Sequence, residues 1–247
     1  VSSALSLGCK GTSKQWSHYA KLYMFLAAFA TPLVISVHSV VSWDFAMSVI
    51  PGWHTTIFAP YFVAGAIFSG TAMVMTLVIP MRKILGLEKY IKVDHFERLA
   101  KVMLFTSLIV SFAYAVEWAM AYYAGHPYET FHFNFRLLGD YRYFYWMMVL
   151  CNSVLPLLVF FKKFRTNLTL LFVLSIFVNI GMWLERFVII VTSLARDYDP
   201  TNWGNYYPSF IEVGITVGSF GMFFTFFLIF TKVLPVLSVT EVKEQQS

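Results

Sequence analysis

The sequence is poor in cysteine, in charged residues and in histidine. Of its 247 residues, two are cysteines, Cys9 and Cys151, and 13% are charged. The two cysteines lie far apart, so the chain has no CxxC pair for an iron–sulfur or zinc site. Six histidines occur, and His38 alone falls inside a long apolar segment, which argues against a haem held by two histidines. Any metal redox centre is therefore expected in a partner protein.

Apolar residues, in contrast, are abundant. Hydrophobic residues make up 58% of the chain, and phenylalanine occurs 26 times, which is typical of a membrane protein and not of a soluble domain. A transmembrane helix needs about 20 mostly apolar residues. Segments of this kind lie at about 20–43, 57–79, 99–123, 142–161, 168–193 and 209–231. We predict an all-α, polytopic transmembrane helix bundle over residues 19–234 with about six spans.

Lysine and arginine are concentrated in alternate connections between these spans. Fourteen of the 18 basic residues lie before the first span, between the second and third, between the fourth and fifth, or after the sixth. Because cytoplasmic loops are enriched in lysine and arginine, both termini are predicted to be cytoplasmic, with residues 1–18 as an N-terminal segment and 235–247 as a tail. Residues 1–18 lack a signal-peptide pattern, and a truncated chain is one expectation. The net charge of +5 is a topology signal and gives no support for nucleic-acid binding.

Apart from residues that flank the span ends, the ionisable side chains inside the spans all fall toward the end that is predicted to face outward. Their depth follows from the helical rise of about 1.5 Å per residue. The residues are His38 and Asp44 in the first span, Glu117 in the third, Glu185 and Arg186 in the fifth, and Glu212 at the start of the sixth. A charge at a helix centre costs roughly 2.5–3.5 kcal/mol on insertion scales, so such residues usually face the bundle interior or a pathway. Their common depth predicts a polar ligand site or a proton pathway.

Helical spacing predicts which neighbours these side chains have. Polar residues recur at seven-residue intervals along the fifth span in two adjacent stripes, Asn179, Arg186 and Ser193, and then Glu185 and Thr192. Such stripes are expected to face protein. In the third span Tyr114 precedes Glu117 by three residues, which predicts a hydrogen bond to that carboxylate.

A structural interpretation competes with the functional one at each position. Ion pairs between helices that fix the packing would account for Glu117, Glu185, Arg186 and Glu212. His38 would then be a hydrogen-bonded histidine near a helix end, and Asp44 a helix cap or loop residue. The aromatic segment 124–141 is interpreted as a long outer loop that forms an interface belt or a docking surface for a peripheral subunit.

Four local runs of sequence are distinctive: SVHSVVSWDFAM, PGWHTTIFAPYFVAGAIFSG, NIGMWLERFVIIVTSL and RDYDPTNWG. Together they resemble the membrane subunits of the NrfD or polysulfide-reductase C type, most closely the ActC quinol-interacting subunit of Alternative Complex III, in preference to its homologue ActF. The resemblance runs from about Tyr19 to Leu234. Members of that family are longer and form two helix bundles, so residues 19–234 resemble the C-terminal part of such a subunit.

The resemblance implies a membrane subunit of a respiratory quinol-oxidising complex, located in a bacterial inner membrane. Quinol, expected to be menaquinol, would bind near the periplasmic face. Its electrons would pass to an iron–sulfur partner subunit on that side and on to haem c subunits. A homologous NrfD-like membrane subunit is a further expected partner, and the chain itself is expected to hold no haem, iron–sulfur cluster or other metal.

His38 and Asp44 are the candidate catalytic residues under this interpretation. Quinol oxidation releases protons, so a base must accept a hydrogen bond from the quinol hydroxyl. A histidine near its ordinary pKa suits that role, and a carboxylate at the membrane interface can pass the proton outward. His38, Asp44 and Arg186 are also the candidate quinone-binding residues. Proton transfer or a structural role is assigned to Glu117, Glu185 and Glu212, and also to Arg186 as a second possible role.

Two alternatives from other function classes remain. A secondary transporter would place its site near the membrane midplane between internal repeats, whereas here the charges lie off-centre and no repeat is evident. A proton-conducting or scaffold subunit of the ActF type would resemble the quinol-binding subunit without having a quinol site of its own.

Overall fold

The structure is a computed structural model that describes residues 12–53 and 57–234. Within these ranges the chain is helical and contains no strand. The main helices are α1 (Ser13–Ala46), α2 (Phe58–Ile84), α3 (Val93–Ala124), α4 (Pro127–Leu138), α5 (Arg142–Phe160), α6 (Leu168–Ala195) and α7 (Phe210–Val233).

Six of these helices, all except α4, are long and apolar enough to cross a membrane. The prediction of an all-α bundle with six spans is therefore confirmed. The 34 residues of α1 would extend about 51 Å, which exceeds a hydrocarbon core of about 30 Å, so this helix must project beyond the core. α1 begins at Ser13, inside the predicted N-terminal segment 1–18, and residues 1–11 and the predicted tail 235–247 lie outside the described residues.

The expected long loop at 124–141 was a wrong prediction, because most of it forms α4. Gly125 ends α3 in the left-handed conformation, with φ of 63°, which is a common way for a helix to stop. Pro127 then occupies the first turn of α4, where its missing N–H costs nothing, and Glu129 lies in the same turn. Helix α3 therefore ends at Ala124, and α4 begins at Pro127.

The helices α2, α3, α5 and α6 pack around a common core, α1 packs against α2, and α4 lies across one end. We call that end of the bundle the α4 end. The opposite end, where Arg82, Lys83, Lys162 and Lys163 lie, is called the basic end. Which end faces the cytoplasm stays a prediction. No residue of α7 is buried, and α7 stands beside the bundle across a cavity from α2 and α6.

The α5 helix is irregular through its second half. Residues Leu150–Val154 form a π-helical turn and Leu155–Phe160 form a 3-10 helix. Pro156 has no N–H to donate, so the carbonyl of Asn152, four residues earlier, loses its usual helical partner. The hydroxyl of Ser107 on α3 donates to that carbonyl at 3.0 Å. A neighbouring helix thus satisfies the backbone group that proline leaves unpaired in the membrane.

Close approach of α6 to this turn depends on a glycine. A Cβ atom added at Gly181 would lie 2.2 Å from Asn152 Oδ1 and 2.6 Å from Cys151 Cβ. Both distances are shorter than real side-chain contacts. The absence of a side chain at Gly181 therefore lets Asn152 reach the polar interior of the bundle.

Candidate functional site

Glu185 on α6 is fully buried inside the bundle. Its Oε2 accepts a hydrogen bond from the Tyr114 hydroxyl of α3. The Asn152 side-chain amide of α5 lies 3.4 Å from the same oxygen and donates to the Tyr114 hydroxyl at 3.0 Å. Three helices therefore converge on one carboxylate. We name Tyr61, Tyr114, Asn152, Glu185 and Arg186 the Glu185 cluster.

Arg186 of α6 and two aromatic residues of α2 supply the remaining contacts of this cluster. Arg186 Nη2 lies 3.6 Å from Glu185 Oε1, and the Arg186 guanidinium carbon is 4.3 Å from the centre of the Phe62 ring of α2. Tyr61 is 1% exposed, and its ring meets that of Tyr114 edge-on at 5.8 Å between centroids. A buried carboxylate is costly to leave uncompensated, and the adjacent guanidinium provides the opposite charge.

A second group of polar side chains lies beneath α4. Arg136 Nε donates to the Thr192 hydroxyl and Arg136 Nη2 to the Ser193 hydroxyl, each at 3.0 Å. Ser193 Oγ lies 3.2 Å from Nε2 of His132. His132 and Arg136 are only 1% and 3% exposed. We name these residues, His132, Arg136, Thr192 and Ser193, the Arg136 cluster.

His132 is held as a neutral histidine in this position. Burial lowers the pKa of His132 well below its usual range, and the neighbouring positive charge of Arg136 lowers it further. The second ring nitrogen, Nδ1, is buried and has no hydrogen-bond partner within the described part of the chain. Sequence reasoning missed both residues, because it placed the Arg136 region in an outer loop. Their spacing of four, on a segment started by Gly125 and Pro127, was the available signal of one helical face.

Glu117 lies between the two clusters. It is half-buried, its carboxylate interacts electrostatically with Arg136 and with Glu185, and its Oε1 has no hydrogen-bond partner within the described residues. The predicted hydrogen bond from Tyr114 to Glu117 is wrong, because the Tyr114 hydroxyl donates to Glu185 instead. The Tyr114 hydroxyl thus bonds a carboxylate on another helix, α6, and not the one that follows it on α3.

The turn after α1 is bound to the same region. The Gly52 amide donates to both carboxylate oxygens of Glu129, at 3.1 and 3.2 Å. Gly52 has φ of 79°, and an added Cβ would lie 2.6 Å from His132 Cδ2. The Trp53 indole donates to the Ile189 carbonyl at 2.8 Å. The turn that follows α1 is therefore held to α4 and α6 by hydrogen bonds.

Of the predicted site residues, the structure brings Glu117, Glu185 and Arg186 together. His38 on α1 is half-buried, and its Nδ1 lies 2.8 Å from the Val34 carbonyl one turn earlier, so the other ring nitrogen is the one left for a ligand. Asp44 is exposed. Within the described ranges no hydrogen bond or ion pair joins His38 or Asp44 to either cluster, and their functional assignment stays a prediction.

Glu212 has a structural role at the start of α7. Its Oε2 accepts from the Ser209 amide at 2.6 Å, and Ser209 Oγ accepts from the Glu212 amide at 3.3 Å. This reciprocal arrangement is a capping box. It fits the structural alternative for Glu212.

The polar stripes of α6 were predicted to face protein, which the structure confirms for some of their residues, whereas others line a cavity. Glu185, Thr192 and Ser193 are fully buried, whereas Arg186 and Asn179 line a cavity of about 940 Å³ between α2, α6 and α7. The Asn179 amide donates to Thr76 Oγ1 on α2 at 3.0 Å. The stripes therefore contact three different surroundings, namely α4, the bundle core and the cavity.

No group of three histidine, cysteine, aspartate or glutamate side chains in residues 12–53 and 57–234 is placed to hold a metal ion. The thiol of Cys151 is buried and unpaired with another cysteine. The two clusters together contain carboxylates, hydroxyls and guanidinium groups. Such groups can bind a polar ligand and exchange protons with it.

Comparison with known proteins identifies a family and a relative. The family model described as "Polysulphide reductase, NrfD" matches residues 7–196, which include α1 to α6. A protein of Halobacterium salinarum, provisionally named as a membrane subunit of dimethyl sulfoxide reductase, is 26% identical over 242 residues, covering 87% of this chain and 54% of that protein. The chain thus spans about half the length of this relative.

Proposed function

The chain belongs to the NrfD polysulphide reductase family, and we propose that it is a quinol-oxidising membrane subunit of a respiratory oxidoreductase complex. The observation that carries the proposal is the Glu185 cluster. Helices α2, α3, α5 and α6 each place polar side chains there, in a bundle whose described core is otherwise mostly apolar. Ionisable residues at such a depth in a membrane protein usually mark a ligand or proton pathway.

The proposed substrate is a lipid-soluble hydrogen donor, a quinol. Oxidation of a quinol to a quinone releases two electrons and two protons. The electrons leave to an iron–sulfur partner subunit, which supplies the one-electron redox chemistry and lies on the periplasmic side at the α4 end. This chain provides the groups that bind the quinol and accept its protons.

His38 and Asp44 are proposed as the catalytic pair. His38 Nδ1–H donates to the Val34 carbonyl, which fixes the tautomer and leaves Nε2 as the acceptor for a quinol hydroxyl. Asp44 is exposed and lies six residues nearer the α4 end, where it can pass the proton to solvent. Arg186 is proposed to bind the quinone oxygen, and Glu185 and Glu117 to respond to its charge or carry protons toward the Arg136 cluster.

The finer identity rests on the sequence resemblance. We propose that the chain corresponds to the ActC subunit of Alternative Complex III, that its substrate is menaquinol, and that it works in a bacterial inner membrane beside a homologous NrfD-like subunit. Haem c subunits would receive the electrons after the iron–sulfur partner. The aromatic surface formed by α4 and the loop around residues 197–205 is the proposed contact for the peripheral subunits.

The proposal is tested with the purified complex that contains this chain. His38→Ala and Asp44→Asn are each expected to lower quinol-dependent electron transfer at least about ten-fold, equivalent to roughly 1.4 kcal/mol in the activation barrier. The matched control is His18→Ala, an exposed histidine near the basic end of α1. All three variants should retain the full set of subunits. Wild-type turnover in both His38→Ala and Asp44→Asn would refute the catalytic assignment.

A further inference from the structure

The cavity beside α7 extends along the helices. Its wall on α2 extends from Ser69 to Leu85, a distance of about 24 Å at the helical rise. Helix α6 contributes residues from Phe172 to Arg186, and α7 contributes residues from Phe220 to Thr231. With a volume of about 940 Å³ it lies at the upper end of the usual range for ligand pockets.

Most polar groups on this wall already have partners. Thr76 Oγ1 lies 2.8 Å from Ser175 Oγ and accepts from Asn179. Ser69 donates to the carbonyl of Ala66 in its own helix. Arg186, at the end of the cavity nearer α4, is different because its Nη1 is buried and has no hydrogen-bond partner within the described residues. The cavity therefore has an apolar length and one end with an available donor.

We propose that this cavity holds the isoprenoid chain of the quinone, with a quinone oxygen at Arg186. The inference deepens the proposed function and rests on it. It adds a site for the tail, formed by α2, α6 and α7, that no sequence pattern indicated.

Charge favours a neutral head group at this end. Glu185 Oε1, 3.6 Å from Arg186 Nη2, already balances the guanidinium charge. A phosphate there would add an unbalanced negative charge inside the membrane, which is costly. A quinone oxygen accepts a hydrogen bond without adding charge, and a guanidinium has five N–H donors to offer.

Depth also distinguishes a quinone from a phospholipid. Arg186 lies 18 residues from the first residue of α6 and nine from the last, about 27 and 14 Å at the helical rise. That depth is inside the hydrocarbon region and not at a membrane surface, where phospholipid head groups reside. A quinone head can lie at this depth with its tail directed toward the basic end.

The test compares two quinols with one head group. Menaquinol with four isoprene units has a tail, whereas menadiol has none, and both are assayed with the purified complex. Ile180→Trp on α6 fills the cavity, and Met73→Phe on α2 is a milder variant with the same purpose. Val173→Trp is the control, because Val173 is an exposed residue of α6 outside the cavity wall.

The expected result is a selective effect on the long-chain quinol. Ile180→Trp should raise its KM at least ten-fold, Met73→Phe about three-fold and Val173→Trp less than two-fold, while the KM for menadiol stays within two-fold of wild type in all three. Normal menadiol turnover also shows that the variants are folded. An equal change for both quinols, or no change for either, overturns the tail site while leaving the proposed function intact. Failure of the wild-type complex to oxidise either quinol overturns the proposed function, and the tail site with it.

Discussion

The two ends of the bundle are built from the same helices with different chemistry. At the basic end, α2, α3 and α6 bury an apolar core whose central members are 0% or 1% exposed: Phe68, Met75, Phe96, Met103 and Leu171. Toward the α4 end, the continuation of α6 buries Glu185 together with Thr192 and Ser193, whose hydroxyls accept hydrogen bonds from Arg136. Apolar packing therefore suffices to hold the helices together, and the polar side chains need another explanation.

The energetic cost of burying these polar side chains supports the proposed functional role. A hydrogen bond between membrane helices contributes only about 0.6 kcal/mol on average, whereas inserting a charge costs several times as much. Glu185 and Arg186 together therefore add little net stability compared with an apolar pair of similar volume. The basic end shows that this fold can pack without such a pair.

The largest effect should come from the point where the polar and apolar regions meet. Gly181→Val would place side-chain atoms against Asn152 and Cys151, where even a Cβ is 2.2 Å from Asn152 Oδ1. Overpacking of this kind costs typically 1–3 kcal/mol or more, and we expect loss of the assembled complex from membranes. In Gly218→Ala on α7 the added Cβ meets nothing within 4 Å, and the yield should be normal. Normal recovery of Gly181→Val would show that α6 and α5 are not packed this closely.

The next variants compare a polar group at each end directly. Glu185→Gln keeps the shape of the side chain and removes its charge, and quinol-dependent turnover should fall at least about ten-fold. Ser175→Ala removes a buried hydroxyl that bonds Thr76 nearer the basic end, and turnover should fall less than about two-fold. Complex recovery is measured alongside activity in both. Equal losses of turnover in the two variants would contradict the functional difference between the two ends, because they would indicate one pathway through the whole bundle.

A smaller effect is expected from the support of the irregular turn in α5. Ser107→Ala removes the donor to the Asn152 carbonyl and leaves a buried acceptor unpaired, which should cost about 1–2 kcal/mol of unfolding free energy. Ser111→Ala is the control, because that hydroxyl bonds the Ser107 carbonyl in its own helix. Thermal unfolding of the purified complex should give a lower Tm for Ser107→Ala than for Ser111→Ala. The reverse order would argue that the Asn152 carbonyl has another donor.

The smallest effect is a pH dependence confined to the α4 end. Because burial and Arg136 hold the pKa of His132 well below its usual range, the folded state keeps this histidine neutral. Its contribution is fully present above about pH 6.5, the ordinary histidine pKa, and is lost as pH falls, by at most about 1.4 kcal/mol per pH unit. The difference in Tm between pH 7.5 and pH 5.5 should therefore shrink in His132→Gln. His126→Gln, at an exposed histidine, should leave that difference unchanged; shrinkage in both variants would contradict the assignment.

The spans could be predicted from sequence because length and apolarity alone define them. The partners inside the bundle could not, because helical spacing ranks only neighbours on one helix. Tyr114 illustrates this limit: Glu117 is its neighbour by spacing, yet Glu185 from another helix accepts its hydrogen bond. Asn152 was missed for the same reason, since its position depends on Pro156 and on the closeness of Gly181.

Helix α4 was not predicted, for a different reason. Gly125, Pro127 and Glu129 gave the local signals of a helix stop and start, but the aromatic composition of the segment favoured a loop interpretation. As a result His132 and Arg136 were treated as loop residues outside the membrane. The structure buries both of them over the polar end of α6.

We have proposed that quinol is oxidised at the polar, α4 end of this bundle. The most direct test is a cryo-electron microscopy map of the intact complex with bound quinone, at a resolution that shows the head group. We predict head-group density in contact with Arg186 or His38, on the side of the bundle that carries the Glu185 cluster. Density for the head group at the basic end, or only in another subunit with this cluster closed to ligands, would contradict the account.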